Sequence, residues 1–165
     1  MGAPLGVNAG TRSMKLSTKG RYAMVALVDL ALHGGEGPVP LAAISGRQDI
    51  SLAYLEQLFA RLRRAGLVES MRGAAGGYRL ARAPSEIRVF DVLAAVDEQV
   101  SAMQPGVGAS GARSGSRAQS MTNRLWEGLS AQVYVYLHQT RLSDVAANAL
   151  APCPAVPALL EVVDG

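Results

Sequence analysis

The side chains able to do chemistry gather in one stretch, Ser51 to Leu80, which reads SLAYLEQLFARLRRAGLVESMRGAAGGYRL. Between Arg61 and Arg82 six arginines (Arg61, Arg63, Arg64, Arg72, Arg79, Arg82) stand against a single acid, Glu69. Guanidinium groups are planar donor forks that suit phosphate oxygens and the edge of guanine. Just upstream, Ser51, Ala53, Tyr54, Glu56 and Gln57 are side chains of the kind that reach base edges from a helix lying in a groove. A charge run alone is more often a solvated surface. The order of parts favours a DNA reader: helix, glycine stop, strand, arginine-tipped glycine loop, strand.

Other chemistry finds little support. The single cysteine, Cys153, excludes an intramolecular disulfide and any zinc site built from several cysteines of one chain. His33 and His138 are the only histidines, and neither stands in a metal-binding or nucleophile motif. With no nucleophile, base or metal set visible, an enzyme is not expected.

The elements that must position the reader follow from periodicity. Ser51 is placed to cap a helix, and Leu52, Leu55, Leu58, Phe59 and Leu62 recur on one face as its core side. Ala53, Tyr54, Glu56, Gln57, Arg61 and Arg64 fall on the opposite face. Gly66 stops the helix, because glycine enters the left-handed conformation without steric cost. Leu67 to Met71 and Tyr78 to Ala81 read as strands joined by the loop from Arg72 to Gly77, which makes a wing with Arg72 and Gly73 at its tip. Before the reader, Pro40 opens a short helix from Leu41 to Arg47, and the pair forms a helix-turn-helix. Residues Tyr22 to Leu32 form an apolar helix capped by Ser17 or Thr18, ended by Gly34 and Gly35, and packed on its own domain plus a partner or the C-terminal helix. Val89, Leu93, Val96 and Val100 mark a further amphipathic helix after the wing.

Five segments result. Residues 1–13 form a disordered N-terminal extension, 14–100 a winged helix-turn-helix, and 101–119, rich in glycine and serine, a flexible loop. In residues 120–150, Met121, Leu125, Leu129, Val133 and Leu137 make a stripe beside Trp126 and Tyr136, and a short helix covers Leu142 to Leu150. A long helix beyond a domain that has already closed its core finds its apolar partner in a second subunit. Residues 151–165, with three prolines, form an irregular tail. The fold class is therefore mainly α with a small β-hairpin wing, a winged helix-turn-helix followed by a long C-terminal dimerisation helix. The net charge of +3 permits a nucleic-acid partner, though arginine bias can equally reflect a genome rich in G and C. No apolar run is long enough to span a bilayer, so no membrane partner and a cytoplasmic location are expected.

From Met14 to Glu98 the chain resembles, almost continuously, the Rrf2 winged-helix transcription regulators in their iron–sulfur cluster regulator branch. The resemblance rests on MKLSTKGRYAMVALVDLAL, GPVPLAAIS, ISLAYLEQLFARLRRAGLVES, RGAAGGYRLAR and IRVFDVLAAVDE, with Thr122, Leu125 and Trp126 at the start of the dimerisation helix. It implies a homodimer on a palindromic double-stranded DNA operator. Ser51, Ala53, Tyr54, Glu56 and Gln57 would enter the major groove and Arg72 with Gly73 the flanking minor groove. Ala53 stands where the family commonly has serine. The resemblance further implies a [2Fe–2S] cluster held by three cysteines spaced C-x5-C-x5-C and a histidine three residues on. Those positions hold Ser114, Ser120 and Asn123, with the first near Gly108. Hydroxyl and amide are poor iron donors, so the usual loop site is absent and a cluster could form only by atypical ligation, with Cys153 as the candidate ligand and His138 as a nitrogen donor or simple helix cap. The expected function is repression of iron–sulfur assembly or iron-responsive genes. The alternatives are an Rrf2-type regulator sensing a non-cluster signal through the dimerisation region or Cys153, and an interaction module that kept the fold alone.

Overall fold

The computed structural model describes residues 17–96 and 116–150. Helix α1, Thr18–His33, begins after Ser17 and stops at Gly34, where a single 3-10 turn, Gly34–Glu36, follows. Ala23, Ala26, Leu27 and Leu30 on α1 are fully buried, whereas Tyr22, Val25 and Leu32 are exposed. One polar side chain lies in that buried face, Asp29.

Helix α2, Leu41–Gln48, starts from Pro40 as its N-cap and ends where Asp49 turns into the left-handed region at φ 53°. Helix α3, Leu52–Arg64, is capped by Ser51, whose Oγ accepts a hydrogen bond from the Tyr54 backbone N–H at 3.3 Å. Its end is a glycine stop in which Gly66, at φ 71°, lets the Gly66 N–H reach the Arg63 carbonyl and the Leu67 N–H the Leu62 carbonyl, each at 3.0 Å. Leu55, Leu58, Phe59 and Leu62 form the core face as expected. Leu52 does not. It is 43% exposed at the first position of α3, whereas Leu55, three residues on, is fully buried.

Strands β1, Val68–Met71, and β2, Gly77–Leu80, pair antiparallel in the register Val68 with Leu80 through Met71 with Gly77. Val39, in the loop before α2, adds a one-residue bridge to Tyr78 on the outer edge of β2. Helix α4, Val89–Ala95, closes the domain and ends with Val96 as its C-cap, short of the length expected from sequence, and Asp97 to Val100 lie outside the described residues.

Helix α5, Arg117–Gln139, starts at Arg117, inside the stretch expected to be linker, and α6, Leu142–Ala146, is shorter than the segment to Leu150 expected from sequence. A small antiparallel bridge between Arg88 and Arg141 joins the turn after α5 to the approach to α4, with Val89 N–H on the Thr140 carbonyl at 3.0 Å and Leu142 N–H on the Ile87 carbonyl at 2.8 Å. Matching caps hold both sides: the Arg88 and Arg141 backbone N–H groups donate to Asp91 and Asp144 carboxylates at 3.1 and 2.8 Å. Leu142 is fully buried and takes α6 into the same core as α1, α3 and α4. Each fully buried leucine, isoleucine or phenylalanine of that core contributes about 1.5–3 kcal/mol of transfer free energy.

Candidate nucleic-acid interface

The stability of the reader begins with a buried acid. Asp29 on α1 has a fully buried side chain, and it accepts from Arg47 Nε at 2.9 Å, from Arg47 Nη2, and from Gln48 Nε2 at 2.7 Å at the end of α2. The Arg47 hydrogen bonds hold the Asp29 carboxyl below its ordinary range against the opposing effect of burial, with Gln48 and the nearby His33 adding to them. Asp29 in turn raises Arg47 above its usual value. Helix α2 is thereby clamped to α1 beneath the turn that launches α3.

On α3 the structure leaves Ser51, Ala53, Glu56 and Gln57 exposed. Tyr54 differs from the sequence expectation of a free face. It is half-buried, packs on the core, and meets Tyr22 of α1 edge to face at 5.7 Å between ring centroids. Arg61 is half-buried and Arg64 exposed; both line a shallow cleft of ≈ 350 Å³ with Ala65 and Ala95, between the last turn of α3 and α4.

The wing carries the other group of cations. Glu69 and Arg79 stand opposite each other in the ladder and pair at 3.0 Å, so the one acid of the stretch is already neutralised within the wing. Arg63 Nη1 donates to Ser70 Oγ at 3.3 Å and links α3 to β1. Arg72 is exposed at the tip, and no ion pair joins it to a described residue. Beside it Gly73 sits at φ 119°, a conformation that L side chains rarely adopt, and its carbonyl accepts from the Gly76 N–H at 2.9 Å to close the turn.

The residues at the family's cluster-ligand positions are only partly within view. Ser114 and Cys153 lie outside the described residues, whereas Ser120 and Asn123 are exposed on one face near the start of α5. An alcohol and a carboxamide do not fit an iron–sulfur cluster, whose ligands are thiolates with occasional imidazoles. His138 is held elsewhere. Its Nδ1–H donates to the Tyr134 carbonyl at 2.8 Å, and its ring stacks on Phe90 at 4.0 Å and meets Tyr134, tilted, at 3.8 Å, the three rings forming one cluster. Among the described residues no group of three or more histidine, cysteine or acidic side chains could hold a metal ion.

Sequence reasoning missed two parts of this arrangement. The Asp29 and Arg47 pair spans 18 residues and leaves no periodic trace. The Val39 bridge to Tyr78 had only a weak signal, a β-branched residue kept extended between Pro38 and Pro40.

The Rrf2 family profile, described as an iron-dependent transcriptional regulator, matches residues 16–148. The chain belongs to the Rrf2 family. It is 69% identical over 153 residues to the HTH-type transcriptional regulator IscR of Cereibacter sphaeroides, covering 92% of this chain and 99% of that one. With the IscR of Aliivibrio salmonicida it shares 52% identity over 132 residues, covering 80% and 77%. Among solved structures, CymR (YrzC), the global cysteine regulator of B. subtilis, superposes with a TM-score of 0.70 at 35% identity, covering 81% of this chain and 97% of that one. T. potens IscR does so with 0.64 at 40% identity, covering 82% and 88%. Like other Rrf2 proteins this one is a DNA-binding transcription regulator with a winged-helix fold, and not an enzyme. No helix among the described residues is long and apolar enough to cross a membrane.

Proposed function

We propose that this Rrf2 protein is a cytoplasmic, homodimeric repressor of iron–sulfur cluster assembly or iron-responsive genes, reading a palindromic operator. The 69% identity to a protein named IscR over nearly its whole length is the support for that set of genes. The observation that carries the mode of binding is the placement of an exposed polar α3 face and an exposed Arg72 tip on one winged-helix body. In this reading α3 enters the major groove with Ser51, Ala53, Tyr54, Glu56 and Gln57, Arg61 and Arg64 flank it near phosphates, and Arg72 with Gly73 enters the adjacent minor groove. Residues 14–100 act as the reader and 120–150 as the dimerisation segment.

Support for the dimer comes from α5. From Met121 to Leu129 every side chain is exposed, Leu125, Trp126 and Leu129 among them, a contiguous apolar surface that a monomer would leave in water. A second reading, in which the signal is not a cluster, is favoured by the hydroxyl and amide at positions 120 and 123. A solved relative described as a cysteine regulator is in keeping with such variety of signals.

The test is selection of duplexes from a randomised pool by the purified protein, followed by affinity measurements over a range of salt. A palindromic consensus bound by a dimer, with log–log slope growing by about 0.9 per neutralised phosphate, is expected. Equal affinity for selected and random duplexes would overturn the reading.

A further inference from the structure

Resting on the operator reading above, we propose that Tyr78 is a positioning residue that sets the offset between the reader helix and the wing tip, so that major-groove and minor-groove contacts are made together. Tyr78 is joined to both sides of the helix-turn-helix at once. Its backbone N–H and carbonyl both pair with Val39, each at 2.8 Å, and Val39 immediately precedes Pro40, the cap of α2. Its ring meets Phe59 on the core face of α3 at 4.8 Å between centroids, and Phe59 is fully buried.

The residue before it makes this closeness attainable. A Cβ on Gly77 would stand 2.5 Å from the Val39 carbonyl carbon and oxygen and 2.7 Å from the Pro40 nitrogen, all backbone atoms that cannot move aside. Only glycine lets β2 lie this near the α2 approach. Beyond Gly77 the path to the tip is short: Gly77 pairs with Met71, and the turn from Gly73 to Gly76 is closed by its own hydrogen bond. A Cβ on Gly76 would likewise meet the Met71 and Gly73 carbonyl oxygens at 2.7 and 2.8 Å. Arg72 is therefore carried on a stiff hairpin that is tethered to the α2 approach through Tyr78 and Val39 and to α3 through Ser70 and Arg63. A fixed offset is pre-organisation, because ordering that would otherwise oppose binding is already present in the free protein.

The experiment is a double-mutant cycle on the duplex selected by the native protein. Arg72→Ala is measured in the native, Tyr78→Phe and Tyr78→Leu backgrounds, with thermal unfolding to confirm that each variant is folded at the binding temperature. Tyr78→Phe keeps the ring and should leave the full Arg72→Ala loss in place. In Tyr78→Leu the added loss should shrink to less than about twofold, since the wing is then no longer aligned and the two sites cease to be independent. Gly77→Ala, which keeps the ring and pushes β2 off Val39, provides the same comparison if Tyr78→Leu does not fold. An equal Arg72→Ala loss in all backgrounds would overturn the proposal while leaving operator recognition standing. Failure of the native protein to prefer the selected duplex would overturn the operator reading itself, and the proposal with it.

Discussion

Arg47 presents two nitrogens to the two carboxylate oxygens of Asp29, a bidentate pair between the end of α2 and the middle of α1 that lies under the helix-turn-helix. Planar forks of this kind fix direction as well as distance. The angle at which α2 delivers the chain to Ser51, and so the start of α3, is held by that pair together with the fully buried Ile44.

Asp29→Ala should lower stability by about 3 kcal/mol in urea unfolding, near the lower end for broken buried pairs because water can reach the abandoned guanidinium. The pH dependence follows from the same contact. Hydrogen bonds from Arg47 depress the folded-state pKa of Asp29 below the unfolded value near 3.8, so its stabilisation is present above that value and is lost as pH falls toward the folded one. Native protein should lose stability below about pH 4 more steeply than Asp29→Asn. Identical acid limbs for the two would show that the pair is not formed in solution.

Arg72→Ala should weaken operator binding with no more than a slight change in melting temperature, because the side chain is exposed and no described residue pairs with it. Glu56→Ala should relax base preference and tighten non-specific binding, since a carboxylate near phosphates is repulsive unless it accepts from cytosine N4. Competition binding against operators altered one base at a time separates the two effects. A large fall in melting temperature for Arg72→Ala would mean that the tip is structural.

Leu125→Glu or Leu129→Glu should convert a dimer to a monomer in sedimentation equilibrium and reduce operator affinity, while the winged-helix unit keeps its melting behaviour. Both leucines are exposed on α5 within the chain, so a charge there disturbs nothing inside the protomer. An unchanged dimer would place the subunit contact elsewhere.

Ser120→Ala and Asn123→Ala should leave the visible absorption of anaerobically reconstituted protein unchanged. Neither side chain is a competent iron ligand. A spectrum altered by either substitution would show that the exposed start of α5 does contact iron.

Much of the reader was legible because it obeys two local rules. The α3 core face follows helical spacing through Leu55, Leu58, Phe59 and Leu62, and its ends carry Ser51 and Gly66, residues whose own chemistry makes them caps. Leu52 satisfied the same spacing and is nevertheless exposed, since periodicity marks a face but not how far along it the covering body extends. Tyr54 fell on the polar face by angle, yet its ring is long enough to lean back onto Tyr22. What stayed hidden joins distant residues: Arg88 with Arg141, Val39 with Tyr78, Asp29 with Arg47. A single bridged residue or one ion pair imposes no repeat, so nothing in the order of amino acids announces it. The α5 stripe was legible as apolar, but its cover was not: Met121, Leu125 and Leu129 are exposed, whereas Val133 and Leu137 are half-buried.

The manner in which α5 is fastened has a mechanical consequence. Among the described residues its last turns are held, by the Phe90 contacts with His138 and Tyr134 and by the bridge at Arg88 and Arg141 just beyond them, while the side chains from Met121 to Leu129 are exposed. A helix of 23 residues is about 35 Å long, so it is a lever with its fulcrum beside α4. A tilt of about 5° at the fulcrum swings the far end by about 3 Å over that length.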